Sequence, residues 1–132
     1  LEQKLDGRCL GLSAHLSVDG LVMGEPLVVD LKFGEPRDFH VLTLAGYALA
    51  MEAIYEYPVN LGCLVYASHQ EGRWVVQRQF HLLGEKVRQW FLDERDGKQR
   101  IVFEEFDPGM PESCPRWCAF WAYCHGEASA ER

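Results

Sequence analysis

Cys114, Cys118 and Cys124 fall within eleven residues of one another in a 132-residue chain that has only five cysteines. The segment around them, from Asp107 on, is rich in proline and aromatics but has no apolar period able to build a core of its own. Something bound must therefore hold it. The chain shows no secretory signal pattern, so reduced thiols carrying a soft metal or an iron–sulfur cluster are expected rather than a disulfide framework. Structural zinc usually shows paired C-x2-C knuckles. The spacing here is C-x3-C-x5-C, and only three ligands are close. A fourth would come from Cys9, Cys63, His125 or a segment outside the sequence. Cys63 reads more simply as a small core residue. His125 would be strained as a ligand beside Cys124.

The chain is long enough to bury one sizeable core. With 48% hydrophobic residues and 12% aromatics it reads as globular. Its formal charge of −7 gives no bulk basic field to recruit nucleic acid, which argues against a basic DNA-binding module. It argues less against a nuclease, whose carboxylates meet phosphate through a metal. No run of eighteen apolar residues suggests a membrane span, and a cytoplasmic protein is expected. The chain opens on Leu1, so a preceding segment is expected as well.

Period and turn signals predict the order β-β-α-β-β-α. Leu16–Met23 and Leu27–Lys32 read as a hairpin around the turn Gly24-Glu25-Pro26. From Pro36 to Tyr57 apolar residues recur at helical spacing and Pro58 ends the run. This helix is apolar on most sides, so it is expected to lie buried against the sheet. Asn60–Ser68 reads as a buried strand and Arg73–Phe80 as a more exposed one. A second helix starts at Gly84 and extends toward Glu104. The expected organisation is a core over 1–106, with a cysteine-rich segment over 107–132 packed on the same domain.

Strand alternation puts Asp30 and Lys32 on one face of the second strand, with Asp19 on its hairpin partner. Two carboxylates and a lysine suit metal-assisted attack on a phosphodiester. Asp19, Asp30 and the Leu31 carbonyl would be oxygen ligands for Mg²⁺ or Mn²⁺, and Lys32 would position water or offset developing charge. Asp and Lys at strand ends are also ordinary solvated residues, and D-x-K alone is a weak motif. His40, Thr43 and Tyr47 stand three and four residues apart, a polar stripe that has to face something polar. A tyrosine bonded to backbone is the plainer alternative for Tyr47. Arg73, Arg78, Lys86 and Arg88 are candidate phosphate contacts, or simply a solvated face.

Taken in order, Leu5-Asp6-Gly7, Leu10-Gly11-Leu12-Ser13, Val18-Asp19, Val29-Asp30-Leu31-Lys32-Phe33-Gly34, Phe39-His40, Leu44-Ala45-Gly46-Tyr47-Ala48-Leu49-Ala50 and Tyr57-Pro58-Val59, closed by the three cysteines, resemble a known group. They are similar to the RecB-like nucleases of the PD-(D/E)xK superfamily. Within these they resemble the CRISPR-associated Cas-Four exonucleases, archaeal type I-A Csa-One branch. The resemblance implies a restriction-endonuclease-like α/β core, a mixed central sheet flanked by helices. It implies metal-dependent digestion of DNA that is single-stranded or has single-stranded ends, trimming before CRISPR integrase proteins capture spacers. Asp19 and Asp30 would be metal ligands, Lys32 the catalytic lysine and Tyr47 the tyrosine of a Q-x-x-x-Y helix. Thr43 stands where that motif has Gln. Cys114, Cys118 and Cys124 would hold an iron–sulfur cluster, expected as 4Fe-4S rather than 2Fe-2S, with a fourth cysteine from an N-terminal segment. A catalytically weak interaction module of the adaptation complex, or a repair nuclease outside CRISPR, stays open beside this reading.

Overall fold

The computed structural model describes residues 2–22, 26–111, 114, 116 and 118–125. Its elements are β1 (Gln3–Leu5), β2 (Leu16–Val18), β3 (Gly20–Val22), β4 (Leu27–Phe33), α1 (Val41–Tyr55), β5 (Leu61–Gln70), β6 (Arg73–Leu82), α2 (Glu85–Phe103) and α3 (Trp121–Cys124). By contacts the chain divides into a unit over Leu1–Asp96 and another over Gly97–Arg132.

The first unit is a mixed α/β structure. Its main sheet runs β3-β4-β5-β6, with β4 and β5 parallel and the outer pairs antiparallel. The connection between the two parallel strands is α1, as a parallel pair requires. α1 is apolar nearly all round, and Val41, Leu44, Ala45, Ala48, Ala50 and Met51 are all buried. A helix of that composition has to be buried. It lies on β4 and β5. Gly62 of β5 permits this approach: a Cβ there would sit 2.8 Å from Leu44 Cδ1. Gly46 does the same on the other side of the helix, where a Cβ would meet the Phe91 ring of α2 at 2.7 Å. Glu56, in the left-handed region at φ 57°, closes α1 by donating its N–H to the Glu52 carbonyl, and Pro58 follows.

Cross-strand partners share a face, so the register sorts the sheet. Val28, Asp30, Lys32, Gly62, Leu64 and Tyr66 line the face that α1 covers. The opposite face carries Phe33, Trp74, Phe80 and Leu82, which are 63% to 79% exposed.

The expected hairpin needs correcting. β3 and β4 pair antiparallel as anticipated, but the run from Leu16 breaks at Asp19. Leu16–Val18 pairs instead with Gln3–Leu5, a strand too short to show in the sequence pattern. Asp19 thus sits on the bend between β2 and β3 rather than within the partner strand. The bend is held by its side chain, which bonds to the main chain of β4, and Gly20 follows. Met23, the end of the expected strand, and Gly24 and Glu25 of the expected turn lie outside the described residues. The helix starts later than Pro36: Arg37 is extended, Asp38–His40 forms a 3₁₀ turn, and α1 opens at Val41. The expectations for β5, β6 and α2 stand within a few residues.

Candidate active site

Asp30 is the one charged side chain buried among the described residues, with 4% of its surface exposed. Alternation along β4 turns it inward under α1 and sets Lys32 beside it. Lys32 Nζ lies 2.9 Å from Asp30 Oδ2. Oδ2 is a buried carboxylate oxygen whose partner among the described residues is this ammonium. Burial pushes the Asp30 carboxyl above the usual carboxylate range, against the hydrogen bonding and charge of Lys32. The negative charge of Asp19 pushes it further up, and His40 opposes it.

Asp19 joins this site from the bend. Its Oδ2 accepts the Leu31 backbone N–H at 2.7 Å, which pins the bend to β4 next to Asp30. The Leu31 side chain points to the other, open face and is 40% exposed. Tyr47, on the sheet-facing side of α1, feels both carboxylates. Burial first, then the charges of Asp30 and Asp19, push its hydroxyl above the ordinary phenol value. The Thr43 side chain is half-buried.

Two residues complete the group. His40, at the junction of the 3₁₀ turn and α1, hydrogen-bonds through Nδ1 to the Tyr66 hydroxyl at 3.0 Å. Tyr66 is opposite Lys32 in the β4–β5 ladder and is 3% exposed. Burial, then the positive charge of Lys32, hold the imidazole below its usual pKa, while Asp30 pulls it up. Sequence reasoning placed His40 on the polar stripe and missed Tyr66. The available signal was a hydroxyl in an otherwise apolar, buried strand, which must find a partner.

Among the described residues no three His, Cys, Asp or Glu side chains are arranged to hold a metal ion. The chemistry of the site still fits a hard cation. Asp19 and Asp30 offer anionic oxygens from two segments fixed to each other, and one of these oxygens is buried beside the Lys32 ammonium.

The basic residues do not form one surface. Arg88 is spent internally: it pairs with Glu52, and it donates to the Leu83 carbonyl at 2.7 Å, the Val59 carbonyl at 3.0 Å and Asn60 Oδ1 at 3.1 Å. Arg73 and Arg78 project from opposite faces of β6.

In the second unit all three cysteines are free thiols. Cys114 and Cys118 are half-buried and Cys124 is exposed. Burial, hydrogen bonding with Cys118 and the charges of Cys118 and Cys124 all push the Cys114 thiol up, so the sulfurs are close enough to feel each other. His125 stacks on Trp121 with ring centroids 3.9 Å apart. Cys63, back in β5, is buried with its thiol directed to the Leu64 carbonyl, a core position as expected.

The family model for "CRISPR-associated exonuclease Csa1" matches residues 1–128. A curated relative of that name from Saccharolobus solfataricus is 38% identical over 125 residues, covering 95% of this chain and 43% of the relative. Another, from Thermoproteus tenax, is 36% identical over 120 residues, covering 91% of this chain and 41% of the relative. The chain thus spans about two-fifths of the length of the curated relatives it matches.

Proposed function

The chain belongs to the CRISPR-associated exonuclease Csa1 family, and on that premise we propose that it carries the catalytic centre of a metal-dependent DNA exonuclease. The observation that carries the reading is the buried Asp30 beside Lys32, with Asp19 tied to the same strand through Leu31. Asp19, Asp30 and the Leu31 carbonyl are the groups that would hold Mg²⁺ or Mn²⁺. When bound, the cation supplies charge neutralisation on the phosphoryl oxygens and lowers the pKa of its water.

The rest is done by the chain. Lys32 places a positive charge at the reacting phosphate, where charge builds in the transition state. Its ion pair with Asp30 keeps it extended along β4 into the site. Tyr47 stays protonated at neutral pH and has a hydroxyl to offer substrate beside the carboxylates. Residues of α1 above the sheet limit the water around this group, which strengthens each charge–charge contact.

The wider setting belongs to the same reading: a PD-(D/E)xK core, a DNA substrate with single-stranded ends, trimming before spacer integration beside integrase proteins, and the cytoplasm as location. Cys114, Cys118 and Cys124 would be three ligands of an iron–sulfur cluster, with a fourth thiolate from elsewhere. Three sulfur donors within one short segment suit such a group, which would supply folding free energy to the segment that holds it.

The test is digestion of an end-labelled single strand with Mn²⁺. Asp30→Ala should lower the rate by at least about 100-fold, since even groups outside the ligand set cost about 10–100-fold when removed. Equal digestion by wild type and Asp30→Ala would remove the site assignment.

A further inference from the structure

The Tyr66 hydroxyl determines which nitrogen of His40 carries a proton. Tyr66 is buried. Its O–H needs an acceptor, because a buried donor left unpaired is costly. Its hydrogen-bond partner among the described residues is His40 Nδ1, 3.0 Å away, which can accept. Nδ1 therefore presents its lone pair and a neutral His40 keeps its proton on Nε2. Ring contacts fix the orientation: the Phe39 ring meets the imidazole edge-on at 4.9 Å, and Tyr66 lies 5.6 Å away on another side. Nε2 has no hydrogen-bond partner among the described residues. His40 sits close enough to Lys32 and Asp30 to exchange charge effects with both, and Tyr66 is the ladder partner of Lys32.

We propose that His40 is a substrate-binding residue of this site, a neutral Nε2–H donor to a phosphate oxygen of the DNA strand, with Tyr66 as the residue that positions it. The inference rests on the nuclease reading and adds a role to it. The division of labour is physical. Lys32 brings a full charge, whereas a neutral imidazole brings direction without adding a second cation beside the first. A fixed donor also helps hold the strand in register over the carboxylates.

Two measurements test it on the full chain. Long-range ¹H–¹⁵N correlation spectra of the ¹⁵N-labelled protein read the tautomer of each histidine without reference to activity. His40 should show an unprotonated Nδ1 and a protonated Nε2, and Tyr66→Phe should abolish that preference. Fluorescence anisotropy with a labelled single-stranded oligonucleotide in Ca²⁺ reads binding without needing cleavage. His40→Gln, whose amide can place a donor near the Nε2 position, should bind within about threefold of wild type. His40→Asn, too short to do so, should bind about tenfold or more weakly, the usual worth of one hydrogen bond to a charged group. An Nδ1–H tautomer in the wild type overturns the proposal, as does wild-type affinity in His40→Asn. Failure of the nuclease reading shows differently, as equal digestion by wild type and Asp30→Ala, and leaves both measurements readable.

Discussion

Folding puts Asp30 where a carboxylate costs energy. Burial raises its pKa in the folded chain above the 3.8 of the free side chain, so the folded state holds that proton more tightly than the unfolded one. The sign follows from linkage: this residue favours folding fully below pH 3.8, and its contribution is lost as pH rises through the raised folded value. Asp30→Asn should therefore raise the Tm at pH 7 by about 2–5 °C, the change that about 1 kcal/mol makes in a domain of this size. The gap should close below pH 3.8, and nuclease activity should be gone throughout. Lys32, with a quarter of its side chain exposed, can turn to solvent in that variant. Melting curves at pH 3.5 and 7 decide it, and a lower Tm at pH 7 would contradict this account. The Asp30–Lys32 pair was legible in the sequence because alternation alone puts i and i+2 on one face. Tyr66 was not, because its partner is 26 residues away and only the tertiary fold brings the two together.

The elements are joined by a side-chain clamp that no sequence pattern announces. Glu52, near the end of α1, accepts the Val59 N–H at 2.7 Å and pairs with Arg88 of α2, which also ties Leu83 and Asn60. Burial alone would push the Glu52 carboxyl up, but the Arg88 hydrogen bond, the Val59 N–H and the Arg88 charge outweigh it and the net shift is downward. Its contribution is thus present above the unfolded value of 4.5 and is lost as pH falls through the lowered folded value. Glu52→Gln should cost about 2 kcal/mol at pH 7, between an exposed pair and a buried one. The cost should shrink on acidification, measured as urea unfolding at pH 7 and pH 3.5. A second contrast tests the seat of α1. Gly62→Val should destabilise by about 1–3 kcal/mol because Leu44 already fills the space. Gly84→Ala, with nothing within 4 Å, should stay within about 0.5 kcal/mol of wild type. Long, strongly patterned elements such as α1, β5 and α2 were legible. The three-residue β1 and the break at Asp19 were not, because a strand that short has no period and the break depends on a bond to Leu31, twelve residues on.

For the whole molecule, the cysteine-rich segment and the sheet make different demands. If the three thiols act as one ligand set, Cys118→Ser should bleach protein prepared anaerobically from a full-length form and speed proteolysis after Asp107. Cys63→Ser should do neither, because its thiol is packed in β5. The reverse pattern would mean that the ligands are misassigned. The crowding of the thiols was legible in the sequence, but their spacing does not say which group they would hold. The open face of the sheet has a more practical consequence. Phe33, Trp74, Phe80 and Leu82 are greasy side chains on the sheet face opposite the one α1 covers. A surface of that kind governs how a protein behaves in the tube before it governs anything else. The isolated chain should bind the dye ANS while fully folded, salt out at low ammonium sulfate and adhere to hydrophobic resins. Phe80→Thr should ease all three with little change in Tm, because the Phe80 ring is mostly in water already.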